Sequence, residues 1–296
     1  YDPGNVDYFL PNTLNSASIL LHEIGHSIGL AHPHDGGGNS TIAPTDTQFN
    51  AYTIMAYSGD GRLLSSWDID SDGEDEWNYF ERIASIKPSI NDIKAIQHIY
   101  GITPEYNQGD TVYKFEGPIY ETIHDTGGID TIDLSFYSGD FERDITLNLQ
   151  PGTVSEIGTA EIKMSVFLGW FYIDGEWETK WTTENKGFQL SISADTIIEK
   201  AITGSGNDSI TCNVAFNTIN CGLGDDKVSA ISTGDSIFGG AGDDSFDISN
   251  TTDFTLIDGG VGNDRLSFEF IGSSLNLSDF TDAQITGIEN IDIQWG

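Results

Sequence analysis

Gly239-Gly240-Ala241-Gly242-Asp243-Asp244-Ser245-Phe246-Asp247 is the stretch that sets the architecture. Its glycines can take left-handed backbone and aim turn carbonyls at a cation, while Asp244 adds charge and a hard oxygen. Phe246, two residues beyond that aspartate, takes the inward position of a short strand. The order is G-G-x-G-x-D-x-U-x, a repeat that folds as a parallel β-structure with calcium held in its turns. It recurs, in part or whole, at Gly204-Ser205-Gly206-Asn207-Asp208, Gly222-Leu223-Gly224-Asp225-Asp226 and Gly259-Gly260-Val261-Gly262-Asn263-Asp264, with Ile210, Val228 and Leu266 as inward residues. The units begin 18, 18 and 20 residues apart, so a degenerate nonapeptide lies between each pair. Two nonapeptides make one turn of a β-roll, which stacks the four strong loops along one edge. Ions between stacked loops number about three on that edge. Their expected ligands lie among Gly204, Gly206, Asp208, Gly222, Gly224, Asp226, Gly240, Gly242, Asp244, Gly260, Gly262 and Asp264. The opposite edge has Asn217, Asp235 and Asp253 but no paired glycines, so weaker or absent binding is expected there. A disordered Gly/Asp linker would not repeat its apolar position so regularly.

Upstream, from about Thr111, short alternating runs broken by Gly, Asp and Asn predict β structure. Trp170-Phe171-Tyr172-Ile173-Asp174-Gly175-Glu176-Trp177 reads as a hairpin about an Asp-Gly turn. Its aromatics suit either an interaction surface or packing against the β domain. The first 104 residues read as helical and irregular. Leu14, Ala17, Ile19, Leu21 and Ile24 predict a helix from about Thr13 to Ile28. A second helix begins at Ser89, where Asp92 completes a capping box, and Gly101 ends it. His98 reads as a surface or core residue of that helix, not a ligand.

The first helix carries the chemistry. In His22-Glu23-Ile24-Gly25-His26-Ser27-Ile28-Gly29-Leu30-Ala31-His32, residues four apart share a face, so His22 and His26 reach one metal ion. Gly29 permits a left-handed turn that returns His32 as third ligand. Three protein ligands leave a coordination position open, as in a catalytic zinc site. Glu23 stands beside them, able to take a proton from the water that such an ion activates. A coincidental histidine-rich helix would not meet all these positions together. Downstream lies Tyr52-Thr53-Ile54-Met55-Ala56-Tyr57.

The zinc motif and this second stretch together resemble the serralysins, secreted metzincin endopeptidases. The resemblance implies that Met55 forms an apolar floor under the zinc and that Tyr57 hydrogen-bonds the tetrahedral intermediate. Asn91 to Gly101 resembles the last helix of the serralysin catalytic domain. Gly109-Asp110-Thr111-Val112-Tyr113-Lys114-Phe115 and Asp125-Thr126-Gly127-Gly128-Ile129-Asp130-Thr131-Ile132-Asp133 resemble segments that hold calcium where the family's two domains meet. Carried over by position, those ligands are Asn107 (through its carbonyl, where the family has arginine), Gly109, Thr111, Asp125, Gly127, Gly128, Asp130 and Glu199. A plain hairpin turn using Gly-Gly and Asp for backbone reasons is the alternative there.

Composition fits an extracellular, calcium-loaded chain. Forty-seven acidic against 12 basic residues give a formal net charge of −35, which repels nucleic acid and anionic membranes. With 38% hydrophobic and 11% aromatic residues the chain is not simply disordered. A salt-loving host would also explain the acidity. No run of 18 apolar residues exists, so membrane insertion is not expected. Cys212 and Cys221 occupy equivalent positions in neighbouring repeat units. A disulfide is open to them, but free thiols are the favoured reading. Asp68-Ile69-Asp70-Ser71-Asp72-Gly73 begins like a calcium loop, yet its twelfth position is Tyr79 where an EF-hand has Glu. Asp68, Asp70 and Asp72 are thus either an extra calcium site or a solvated acidic loop.

The expected fold class is α+β. A mainly helical and irregular metzincin lower subdomain (1–104) precedes an all-β domain (105–296) of β-sandwich and parallel β-roll, with the repeats at about 203–267. No signal peptide begins the sequence, and only 21 residues precede His22, too few for the substrate-binding sheet that metzincins need. A fragment of a larger protein is expected, with a missing amino-terminal piece as one partner and protein or peptide substrates as others. The expected function is secreted zinc-dependent endopeptidase activity, with one zinc and several calcium ions. The alternative is a non-enzymatic adhesin or scaffold module carrying an incomplete protease region.

Overall fold

The structure, a computed structural model, describes residues 14–32, 53–55, 63–65, 80–82, 87–102, 105–115, 120–139, 143–173, 176–249, 253–270, 280–281 and 283–295. Tyr57, Asp68, Asp70, Asp72 and the Asp174-Gly175 turn lie outside the described residues. The chain divides into two compact units: Tyr1–Gly101 with Tyr120–Thr122 and Ala160–Gly187, and Ile102–Ile119 with Ile123–Thr159 and Phe188–Gly296.

In the first unit α1 (Leu14–Ser27), β1 (Leu63–Ser65), β2 (Phe80–Arg82) and α2 (Ile90–Tyr100) follow in order. Gly29, at φ 99°, ends α1 in a conformation that a Cβ would strain. Its N–H donates to the His26 carbonyl (3.1 Å), and the Leu30 N–H donates to the Gly25 carbonyl (3.0 Å). Those two bonds satisfy carbonyls that the helix end would otherwise orphan. At the start of α2 the Ser89 N–H donates to Asp92 Oδ2 (2.8 Å), and Gly101 ends the helix at φ 87°. Leu30, Ile54 and Met55 form a small core, with Leu21, Ile28, Ala95 and Ile96 packed on it. The Tyr100 hydroxyl donates to the Ile28 carbonyl (2.8 Å), tying α2 to the end of α1.

The expected mainly helical subdomain is not what these residues show. Helical periodicity runs only through the two stretches that became α1 and α2, and β1 pairs antiparallel with β2. The described chain as a whole is mostly strand.

The second unit begins with β3 (Val112–Lys114). Then come β4 (Tyr120–Ile123), β5 (Thr131–Asp133), β6 (Ile145–Asn148), β7 (Val154–Ile173) and β8 (Glu176–Ile192), of which β4, β7 and β8 also run through segments of the first. The roll proper follows: β9 (Lys200–Ile202), β10 (Ser209–Thr211), β11 (Thr218–Leu223), β12 (Lys227–Ile231), β13 (Ser236–Ala241), β14 (Ser245–Ser249), β15 (Leu256–Val261), β16 (Arg265–Phe270), β17 (Ile285–Thr286) and β18 (Asn290–Trp295). Successive strands alternate between two sheets. One runs β17-β15-β13-β11-β9-β5-β3; the other runs β18-β16-β14-β12-β10-β6-β7-β8-β4. Pairing is parallel throughout the roll, and β6 pairs antiparallel with β7.

Register stacks like on like. Ile132, Ala201, Ile219, Ile237 and Ile257 form one inward row, while Leu147, Ile210, Val228, Phe246 and Leu266 form the other. All ten are fully buried. Each large aliphatic there contributes about 1.5–3 kcal/mol, while ordering one residue's backbone costs about 1–2 kcal/mol. Only alternate strand residues point inward, so this burial roughly offsets the ordering of the strands and leaves no surplus for the turns. Glycine-rich turns, which bury no apolar side chain, need another source of stability. The roll also reaches beyond the repeats, since β3, β5 and β6 precede them and β17 and β18 follow. Cys212 and Cys221 are buried free thiols in its interior.

Candidate metal centre

The helix spacing and the Gly29 turn bring three imidazoles together. Nε2 of His22 and of His26 lie 3.2 and 2.9 Å from Nε2 of His32. Nδ1 of His22 meets the Ile54 carbonyl at 2.8 Å, and Nδ1 of His26 meets the Leu30 carbonyl at 2.9 Å. A carbonyl only accepts, so both Nδ1 atoms carry the proton and both Nε2 atoms present lone pairs to the same point. Lone pairs that close repel unless a cation lies between them. Carbonyl-anchored imidazoles of this kind are how proteins orient histidine ligands. The site can hold one metal ion. Glu23 is exposed on the same helix.

Beneath the helix, a Cβ on Gly25 would stand 2.5 Å from the Met55 sulfur, so only glycine lets Met55 pack there. The turn carrying Met55 is clamped from α2. Asp92 Oδ1 accepts from the Thr53 hydroxyl (2.6 Å), and Oδ2 accepts from the N–H groups of Ile54 (2.8 Å) and Ser89 (2.8 Å). One buried carboxylate thus fixes the turn whose Ile54 carbonyl orients His22. Burial raises the Asp92 pKa, and these hydrogen bonds oppose the rise. Sequence reading saw Asp92 only as a helix cap and gave Gly25 no role.

A second cation-suited region runs along one edge of the roll. Loops stack so tightly that a Cβ on Gly224 would lie 2.3 Å from the Gly206 carbonyl oxygen. For Gly242 over Gly224 the distance is 2.0 Å, and for Gly262 over Gly242 it is 1.8 Å. Oδ1 of Asp226, Asp244 and Asp264 accepts from the N–H of Asp208, Asp226 and Asp244 at 2.7–2.9 Å. Oδ2 of Asp208, Asp226, Asp244 and Asp264 is buried with no hydrogen-bond partner. Orphaned buried carboxylate oxygens are costly. Burial first, then neighbouring carboxylates, push Asp226 up to about 8, while burial raises Asp208 and Asp244 to about 6. Hard divalent cations between the loops fit these residues.

A feature that sequence reading missed lies one residue earlier. The backbone N–H groups of Asn207, Asp225, Asp243 and Asn263 donate to Oδ1 of Asp144, Asn207, Asp225 and Asp243, respectively, at 2.8–2.9 Å. This outer ladder points to the preceding loop, whereas the inner aspartates reach from the following one. Its signal was present: the residue before each repeat aspartate is always Asn or Asp.

The opposite edge is self-satisfied. Asn213 Nδ2 donates to the Ile198 carbonyl (2.7 Å), and Asn217 Nδ2 donates to Asn213 Oδ1 (3.0 Å). Asp235 accepts from the N–H groups of Asn217 and Ser232, both at 2.7 Å. Asp253 is exposed.

The family-derived calcium residues upstream also gather. Thr111 N–H donates to Asp130 Oδ1 (2.9 Å), Asp130 N–H to Glu199 Oε2 (2.8 Å) and Gly127 N–H to Asp125 Oδ1 (3.1 Å). Gly128 at φ 125° passes within contact of the Gly109 carbonyl. Asn107, at φ 53°, meets Asp125 Oδ2 through its side-chain amide (2.8 Å). Tyr113, absent from the expected set, donates its hydroxyl to the same oxygen. Burial first, then the charges of Asp125, Glu199 and Asp110, raise Asp130 to about 6.

Serralysin of Photorhabdus laumondii is 33% identical over 221 aligned residues, covering 68% of this chain and 37% of the relative. Serralysin B of Dickeya chrysanthemi is 30% identical over 207 residues (64% and 34%). Serralysin of Proteus mirabilis is 29% identical over 217 residues (68% and 36%). The chain spans little more than a third of the length of these curated relatives. No family model matches it. The chain carries a metalloprotease region. That region is of the serralysin type.

Proposed function

We infer that residues 1–104 contribute the zinc-site part, and residues 105–296 the calcium-loaded β domain, of a secreted endopeptidase acting on proteins or peptides. The carrying observation is the meeting of three imidazole Nε2 atoms, with Nδ1 of His22 and of His26 already engaged by backbone carbonyls. Zinc held by His22, His26 and His32 supplies Lewis acidity toward the scissile carbonyl and its attacking water. Glu23 accepts the proton of that water and returns it to the leaving amine nitrogen. Tyr57 donates a hydrogen bond to the developing oxyanion. Met55 keeps an apolar floor under the histidines, and Asp92 holds that floor in register.

Calcium enters between the roll's loops at Asp208, Asp226, Asp244 and Asp264, and at the gathering of Asn107, Gly109, Thr111, Asp125, Gly127, Gly128, Asp130 and Glu199. Asp68, Asp70 and Asp72 supply a further, weaker site. No described helix is long and apolar enough to cross a membrane, in keeping with a secreted protein.

Zinc content and peptide hydrolysis of Glu23→Ala and His22→Ala test the reading. Glu23→Ala keeps zinc and loses nearly all turnover; His22→Ala loses the metal. Retained hydrolysis by zinc-loaded Glu23→Ala would sink the general-base role. A chain that binds no zinc would sink the centre itself.

A further inference from the structure

The turn that follows the fourth repeat loop lies outside the repeat pattern. β17 pairs with β15 through Ile257↔Ile285 and Asp258↔Thr286, and β18 pairs with β16 from Arg265↔Asn290 onward. Between those paired strands the fourth repeat loop uses residues 259–264, whereas the following turn uses 287–289 alone. Thr286-Gly287-Ile288-Glu289 matches no nonapeptide.

The surroundings nevertheless repeat. A Cβ on Gly239 would lie 2.2 Å from Asp244 Oδ2 and 2.6 Å from the Gly259 carbonyl oxygen, two oxygens that face one interval between repeat loops. A Cβ on Gly259 would lie 2.6 Å from Asp264 Oδ2 and 2.0 Å from the Gly287 carbonyl oxygen. The same pair of oxygens is therefore rebuilt one interval further on. Asp264 is fully buried, and its Oδ2 has no hydrogen-bond partner. Its N–H donates to Glu289 Oε2 at 2.8 Å, the place that an aspartate Oδ1 fills in every earlier interval. Glutamate's extra methylene spans the gap left by the shorter turn.

We propose that Gly287-Ile288-Glu289 closes an additional calcium site against Asp264, built from Asp264 Oδ2, the Gly287 carbonyl and the Glu289 carboxylate. It lies one interval beyond the last formed by two nonapeptide loops. Two carboxylates and a carbonyl around a buried, unpaired oxygen suit a hard divalent cation that tolerates irregular geometry. The inference rests on the reading of the roll as calcium-loaded. The competing account is that Glu289 is only a hydrogen-bond cap ending the ladder.

Glu289→Gln separates the two, because its amide oxygen still accepts from the Asp264 N–H while the charge is gone. Bound calcium is counted by equilibrium dialysis and metal analysis on the whole chain for wild type, Glu289→Gln and Asp244→Asn. The expected result is one calcium fewer in Glu289→Gln, with a lowered melting temperature in calcium but not in chelator. A wild-type count in Glu289→Gln alongside a reduced count in Asp244→Asn would overturn the extra site and leave the calcium reading of the roll intact. Absence of bound calcium from all three would overturn both. Should Glu289→Gln fail to fold, Glu289→Asp gives the same readout: it keeps the charge but is too short for the turn, so one ion fewer supports the site and a wild-type count overturns it.

Discussion

The two edges of the roll are built from the same strands at the same period, yet they solve the turn problem differently. Along the Asp208–Asp264 edge every turn leaves one buried carboxylate oxygen unpaired. Along the Asn213–Asp235 edge amides and backbone N–H groups satisfy the acceptors within the protein. Asparagine carries its own donors; aspartate does not. A turn lined by amides closes on itself, whereas a turn lined by carboxylates waits for a cation. Sequence alone suggested poor ion binding at the second edge from its missing glycines. The structure adds the positive reason, which is that the space between turns is already bonded.

The largest expected effect that tests this contrast is chelation. EGTA should sharply lower the melting temperature of the region from about residue 200 onward, and added calcium should restore it, because ion binding there is folding free energy. Circular dichroism and hydrogen exchange check it; a melting temperature indifferent to EGTA would break the comparison. Next come the two ladders. Asn217→Ala leaves buried partners unsatisfied and should cost about 1–3 kcal/mol with or without calcium. Asp226→Asn should destabilise the protein only in calcium and should be neutral or stabilising in chelator. Denaturant titrations in both buffers read the difference.

The pH response sharpens it further. Asp208, Asp226 and Asp244 are raised above the unfolded carboxylate value, so the ion-free fold binds more protons than the unfolded chain. Stability in EGTA should therefore increase as pH falls from about 8 toward 4. Saturating calcium should abolish or reverse that trend. Melting temperatures across the range check the sign.

The narrowest contrast is between two glycines, one on each edge. Gly242 at φ 138° would drive a Cβ to within 2.0 Å of the Gly224 carbonyl oxygen, which is fixed backbone. At Gly234, with φ 85°, the nearest atoms to a Cβ belong to the ring of Phe216, a side chain that is 72% exposed rather than fixed backbone. Gly242→Ala should therefore cost more than Gly234→Ala, whose penalty is the positive-φ strain of about 1–2 kcal/mol.

Local features were legible. The Gly29 stop, the His22–His32 spacing, the α2 caps and the repeat strands all follow from residues within one turn or one nonapeptide. What stayed hidden depends on distant partners. Asp92 is 39 residues from Thr53, and Asp144 is 63 residues from Asn207, so neither bond leaves a periodic trace. The coils made by β3, β5 and β6 escaped for a related reason: each borrows its register from a neighbour and needs no repeat of its own. The amino-terminal region was read as too helical because two short periodic stretches were taken to represent everything between them.

The paired ladders carry a mechanical consequence. Asp225 is bonded back to Asn207 while Asp226 is bonded forward to Asp244, so each coil is stitched to both neighbours in opposite senses. Tension on the chain ends cannot slide one coil past the next without cutting both stitches at once. Extension should proceed by whole coils, each releasing the 18 or 20 residues that separate successive aspartates, about 60–70 Å of contour. Pulled on, the roll should behave as a ratcheted spring that yields in counted clicks.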